Sequence, residues 1–222
     1  MSADKNMHAV CSPAVRFAGG VLFALSLGGC APALDSFTGK VLYQDTRLTP
    51  EEFSGNSVMV FPLIKRGAFD TTGAITAQAL GQWLRQSHED LEIYFKEDFE
   101  REMRRYYPQW IDTFYLNLLN HNFIAMQADT VGWYMIASNY ILAIYVKDGG
   151  RIKDFHRNIK RTVWMEAEIW SVEPPSVVWR VEVKGFERNA QTSDADFIRR
   201  GVQKIFSLLP PYHPSPPKEE VW

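Results

Sequence analysis

Apolar residues recur along this chain with two periods, and the changes of period mark its elements. Ser57 to Ile64 (SVMVFPLI) is a nearly unbroken apolar run. Its length and β-branched content predict a buried central strand whose pairing loosens at Pro62. From Ser87 to Arg105 the period is four: Leu91, Phe95, Phe99 and Met103 form one stripe, which predicts an amphipathic helix. Ser87 is placed to cap it. Glu92/Lys96, Glu97/Arg101 and Glu100/Arg104 are i,i+4 pairs in the favourable order. A second helix follows from Pro108, with Trp110, Phe114 and Leu118 on its apolar side, and stops at Asn120-His121-Asn122. A short helix opens at Thr49-Pro50-Glu51-Glu52, with Thr49 as cap and Pro50 at the first helical position. Thr72 to Leu84 has helical character. Phe123 to Met126 reads as a short strand, Asp129 as the cap of a helix from Thr130 to Ser138, Tyr140 to Lys147 as a strand, and Asp148-Gly149-Gly150 as a turn. Ser193 to Leu208 closes the series as a helix with Phe197, Val202, Ile205 and Phe206 inward.

Thr162 to Trp170 and Val177 to Lys184 alternate cleanly and predict a hairpin around Glu173-Pro174-Pro175-Ser176. Val163, Met165, Ala167 and Ile169 share one face, as do Val177, Trp179, Val181 and Val183. Both sets reach the core only if paired residue numbers have an even sum. A two-residue Pro-Pro turn gives an odd sum. The pattern therefore predicts a five-residue loop, Val172 to Ser176, or a bulge; the five-residue loop places Glu168 opposite Arg180.

The amino terminus has a different composition. Arg16 precedes Phe17 to Gly29 (FAGGVLFALSLGG), an apolar run of 13 residues, whereas a spanning helix needs about 20. A basic flank, a short apolar run and small residues at its end describe a secretory signal. Leu27-Gly28-Gly29-Cys30 resembles the bacterial lipobox. That resemblance implies cleavage before Cys30, acylation of its thiol, and stable anchoring by several acyl chains. In lipoproteins of enteric type, Ala31 in place of Asp implies sorting to the outer membrane, on its periplasmic face, with the inner membrane as the alternative. An ordinary signal peptide, or a core helix in which Cys30 is incidental, are the competing readings. The organisation is then a signal peptide over 1–29, a lipidated tether over 30–56, a domain over 57–209 with a helical insertion at about 65–107, and a Pro-rich tail over 210–222. Cys11 leaves with the signal, so the mature domain holds no thiol to oxidise. The net charge of −2 and the lack of a Lys/Arg block give no footprint for nucleic acid.

Together these features predict an α+β domain: one small mixed sheet with helices packed mainly on one face. Val60-Phe61-Pro62-Leu63, Leu118-Leu119-Asn120-His121-Asn122-Phe123, Trp179 and Leu209-Pro210 resemble motifs of one envelope group. Its members are the curli-secretion, Pel polysaccharide export and penicillin-binding-protein activator lipoproteins, and the Tol amino-terminal domain. The Glu-Pro-Pro-Ser turn lacks the group's glycine, and residues 65–107 exceed its first loop. The resemblance implies a non-catalytic binding or assembly component of a secretion, polysaccharide-export or envelope-maintenance system. It also implies envelope protein partners and, by analogy, homo-oligomerisation.

Reactive chemistry is sparse in the sequence. His88, His121, His156 and His213 are not at ligand spacing from one another, and no HExxH pair or Gly-x-Ser-x-Gly elbow occurs. No metal or cofactor is expected. The acids at Glu89, Asp90, Glu92, Glu97, Asp98 and Glu100 alternate with Lys and Arg and read as a solvated helix face. The strand face bearing Trp164, Glu166, Glu168 and Trp170 is the candidate functional surface. Either a helix or loop covers it, or it meets a partner or a glycan. A periplasmic hydrolase, or a glycan- or ligand-binding protein, is the alternative function.

Overall fold

The strand predicted at Ser57 fixes the centre of the sheet. A computed structural model describes residues 35–66, 68–69, 75–128, 136, 138–153, 159–188 and 192–211. Among them β2 (Ser57–Val60) is buried at every position. It pairs in parallel with both β5 (Glu92–Phe95) and β6 (Tyr140–Lys153). The run breaks at Phe61–Leu63, where Pro62 has no N–H to donate. It resumes as β3 (Ile64–Lys65), which pairs with β6 and with β4 (Ala68–Phe69). With β1 (Asp35–Gln44), β7 (Ile159–Ser171) and β8 (Ser176–Arg188), the main order is β1-β8-β7-β6-β2-β5. This is one mixed sheet of an α+β protein, as the residue patterns predict.

The helices, expected mainly on one face, cover both. On one side α1 (Pro50–Phe53), α2 (Ala77–Ser87) and α6 (Asp194–Phe206) bury Phe53, Leu80, Leu84, Phe197 and Val202 against Val60, Leu142, Met165 and Val181. On the other, α3 (Lys96–Tyr106), α4 (Pro108–Leu119) and α5 (Phe123–Ala128) bury Phe99, Met103, Phe114 and Leu118 against Met59, Phe61, Ile141 and Trp170. Two layers are needed because β2 and β6 are apolar on both faces. Gly201 lets α6 lie close to the sheet, since a Cβ there would stand 2.6 Å from Met165 Sδ.

Several elements differ from the sequence reading. The helix expected over Ser87–Arg105 is divided: Ser87 ends α2, β5 follows, and α3 begins at Lys96. Leu91 and Ile93 join the core on one face of the sheet, Phe99 and Met103 the core on the other. The four-residue stripe thus belongs to two cores. Of the expected i,i+4 pairs, Arg104 lies 4.0 Å from Glu100, Lys96 pairs with Glu100 instead, and Arg101 pairs with Asp98. Phe123–Ala128 is helical, not a strand. Residues 35–44, placed in the tether, form the edge strand β1. Asp148-Gly149-Gly150 is no turn. After a bulge between Val146 and Asp148, β6 continues to Lys153. The start of the helix assigned to Thr130–Ser138, the leader with Cys30, and 212–222 of the tail lie outside the described residues.

The hairpin keeps the expected facing. Glu168 is opposite Arg180, and Val163, Met165, Ala167 and Ile169 are buried with Trp179, Val181 and Val183. The parity is met by a bulge: Ile169 faces Trp179 while Trp170 faces Val177, so Val178 is the extra residue. Val177 consequently packs on the opposite face from the one its number predicts.

Candidate functional site

The polar face of β7 is graded from wet to dry. Trp164 is 41 % exposed, Glu166 is half-buried, and Glu168 and Trp170 are fully buried. The four residues therefore do not make one partner surface. Trp170 belongs to the core beneath α4, and its indole N–H donates to Glu168 Oε2 at 3.2 Å. Only the Trp164 end is open.

Ladder register assembles a polar cluster in the middle of this gradient. Tyr145 of β6 stands opposite Glu166, and Arg180 of β8 opposite Glu168. The remaining member, His121, comes from the end of α4. The Asn122 N–H bonds to Asn117 O and the His121 N–H to Leu118 O, the paired closure of a Schellman cap. His121 occupies the left-handed position at φ 57°, where glycine is usual. From there its ring stacks on Tyr145 at 4.3 Å between centroids.

The hydrogen bonds assign the protons. Lys147 Nζ lies 2.8 Å from His121 Nδ1, and an ammonium only donates, so Nδ1 accepts. Nε2 therefore carries the hydrogen and faces Glu168 Oε2 at 3.1 Å. Arg180 Nε donates to Glu168 Oε1 at 2.5 Å, and Lys147 Nζ pairs with Glu166 Oε2 at 3.1 Å. Burial, with Lys147 and Arg180 nearby, lowers the His121 pKa to about 3, so the ring is neutral. Burial raises Glu168 to about 7 in spite of Arg180. Burial and the two carboxylates hold the Tyr145 hydroxyl well above its usual range.

Donor atoms of His121, Glu166 and Glu168 lie within 4.8 Å of one another, the spacing of a metal site. The protonation pattern opposes that use. The imidazole nitrogen facing the carboxylates carries a hydrogen, not a lone pair, and two side-chain cations already balance the two acids. The set reads as a closed, neutralised cluster. Neither the composition nor the spacing of the sequence brings His121 to Glu168; its signal was a histidine where a helix stop favours glycine.

Beyond the cluster the same face opens. Trp164 is followed across the sheet by Lys184 and Thr38, and Lys184 Nζ lies 5.5 Å from the Trp164 ring centroid. An open depression of about 370 Å³ is lined here by Thr38, Asp148, Thr162, Trp164, Lys184 and Phe186. Its one carboxylate, Asp148, is paired with Arg66 at 3.0 Å.

A mixed sheet between two helical layers, with a sealed polar cluster and one open aromatic face, defines an α+β domain. No family model matches the chain, and no curated protein matches it. Among solved structures it is similar to the PelC dodecamer from Paraburkholderia phytofirmans, at 11% identity over 81% of this chain and 99% of that one, TM-score 0.42. It is also similar to lipoprotein GNA1162 from Neisseria meningitidis, at 11% identity over 68% of this chain and 98% of that one, TM-score 0.42. A third likeness is to protein XCC0632 from Xanthomonas campestris, at 11% identity over 76% and 87% of the two chains, TM-score 0.37. No helix among the described residues is long and apolar enough to cross a membrane.

Proposed function

We propose that this chain is an envelope lipoprotein, anchored through acylated Cys30 to the outer membrane, that acts as a non-catalytic binding or assembly component of a secretion, polysaccharide-export or envelope-maintenance system. The observation carrying the non-catalytic part is the closure of the His121–Glu166–Glu168 cluster. Its acids are matched by Lys147 and Arg180, so no base of this cluster faces an open cavity. The lipobox residues Leu27 to Cys30 carry the anchoring. The open Trp164 face supplies a docking surface. The same depression, with an exposed indole beside hydroxyls, favours one second reading: a glycan- or ligand-binding lipoprotein.

A photo-crosslinking residue placed at Trp164 in intact cells tests the proposal. The expected result is one reproducible envelope-protein adduct, absent when the same group replaces exposed Glu89. No reproducible adduct, together with turnover of a defined substrate that Glu168→Gln abolishes, rejects the binding role in favour of a hydrolase.

A further inference from the structure

The sequence has no Lys/Arg block, yet the fold builds a basic end. Past Gly150 the β6–β7 ladder continues with Arg151 opposite Arg161 and Lys153 opposite Ile159. In the neighbouring ladder Lys160 stands opposite Arg188. Like charges directly opposite destabilise a strand pair. The first pair is compensated: Arg151 reaches Asp194 at 2.7 Å and Arg161 reaches it at 2.8 Å. Arg161 also pairs with Glu187, as does Arg200. Three guanidiniums there meet two carboxylates. Lys153 and Arg188 are exposed and make no ion pair among the described residues. The opposite end of the sheet carries exposed Glu52, Glu92 and Glu173. Among the described residues of this chain, of net charge −2, charge is thus polarised along the strands.

The covalent path gives this polarity a direction. Asp35 opens β1 opposite Glu187, one residue before Arg188, so β1 begins at the basic end. Four residues lie between Cys30 and Asp35, a contour of at most about 18 Å. We infer that the end formed by Lys153, Lys160 and Arg188 docks on a lipid surface of anionic headgroups, fixing the orientation of the domain. The inference rests on the acylation of Cys30 proposed above. Lipid phosphates then face these three side chains, and the acidic end remains away from the anchor for other partners. Each Lys or Arg near such a surface strengthens attachment by about fivefold, and salt screens it.

The test is amine footprinting of the full processed chain with excess vesicles, either phosphatidylcholine alone or phosphatidylcholine mixed with phosphatidylglycerol. Lys153 and Lys160 are expected to react about fivefold or more slowly on the anionic vesicles, to lose that protection in high salt, and Lys96 on α3 to react alike on both. Lys153→Gln/Arg188→Gln is expected to remove the protection of Lys160. Equal reaction of Lys153 and Lys160 on both vesicles overturns the inference. So does protection in cells with none on anionic vesicles, which assigns the patch to an acidic protein. Acylation is scored separately, by the mass of the amino-terminal peptide. A bare Cys30 rejects the anchor while the footprint still reads the patch.

Discussion

Strands β7 and β8 hold two Glu–Arg pairs, each on a buried carboxylate, in opposite electrostatic states. Arg161–Glu187 lies toward the α6 face, Glu168–Arg180 toward the α4 face. Around Glu187, Arg161, Arg200 and the Thr192 hydroxyl all donate. Burial opposes ionisation there, but the donors prevail and the Glu187 pKa falls below its ordinary value. Glu168 has a single guanidinium, burial wins, and the neighbouring Glu166 charge raises it further in spite of the Trp170 N–H. The charge of a buried carboxylate follows the balance of cations and acids around it, not the mere presence of an arginine. One pair is a firmly ionised clamp. The other is a nearly neutral patch that seals the sheet against α4.

The largest expected effect comes from breaking the clamp. Arg161→Met strands Glu187 without its principal cation and should cost about 3–5 kcal/mol by urea denaturation, and Arg161→Met/Glu187→Leu should recover most of it. A single-variant cost below about 1 kcal/mol would contradict the clamp. Next, Trp170→Ala should cost about 3–5 kcal/mol, because the indole fills the core under α4.

The pH dependence sharpens the comparison further. Glu168 rises from 4.5 to about 7 on folding, so the folded state binds the extra proton and this group's stability is lost as pH rises from 4.5 through 7. His121 falls from 6.5 to about 3, so its contribution is lost as pH drops from 6.5 through 3. In the overlap, folded and unfolded pairs hold equal numbers of protons, and the two slopes cancel. Glu168→Gln should expose the histidine slope, with stability falling on acidification. His121→Phe should expose the opposite slope, each reaching about 1.4 kcal/mol per pH unit. Parallel stability–pH curves for the two variants would refute the assignment. The smallest effect is at Trp164, where exchange for Ala should change stability by no more than about 0.5 kcal/mol.

Sequence reading found what local period and parity decide. Helix α6 begins at its Ser193 cap, where the Asp196 N–H bonds to the serine hydroxyl, and the even parity that turns Met165 and Val181 to the same core follows from alternation alone. What it missed depends on pairing partners. β1 alternates Phe37, Gly39 and Val41 with Ser36, Thr38 and Lys40, a pattern too weak to read alone. It forms because β8 offers an edge and Phe37 closes over Gly185. In β5, Leu91-Ile93 supports a strand as well as Leu91-Phe95 supports a helix, and parallel pairing with β2 decides. The polar cluster unites residues 121 to 180, and the basic end residues 151 to 188. Neither is visible until the ladders are in register.

The functional account stands on the thiol of Cys30. Growth with a radioactive or clickable fatty acid should label the chain, and Cys30→Ser should abolish the label and move the protein from the membrane to the soluble envelope fraction. An unlabelled parent, with the variant in the same fraction as before, would contradict it.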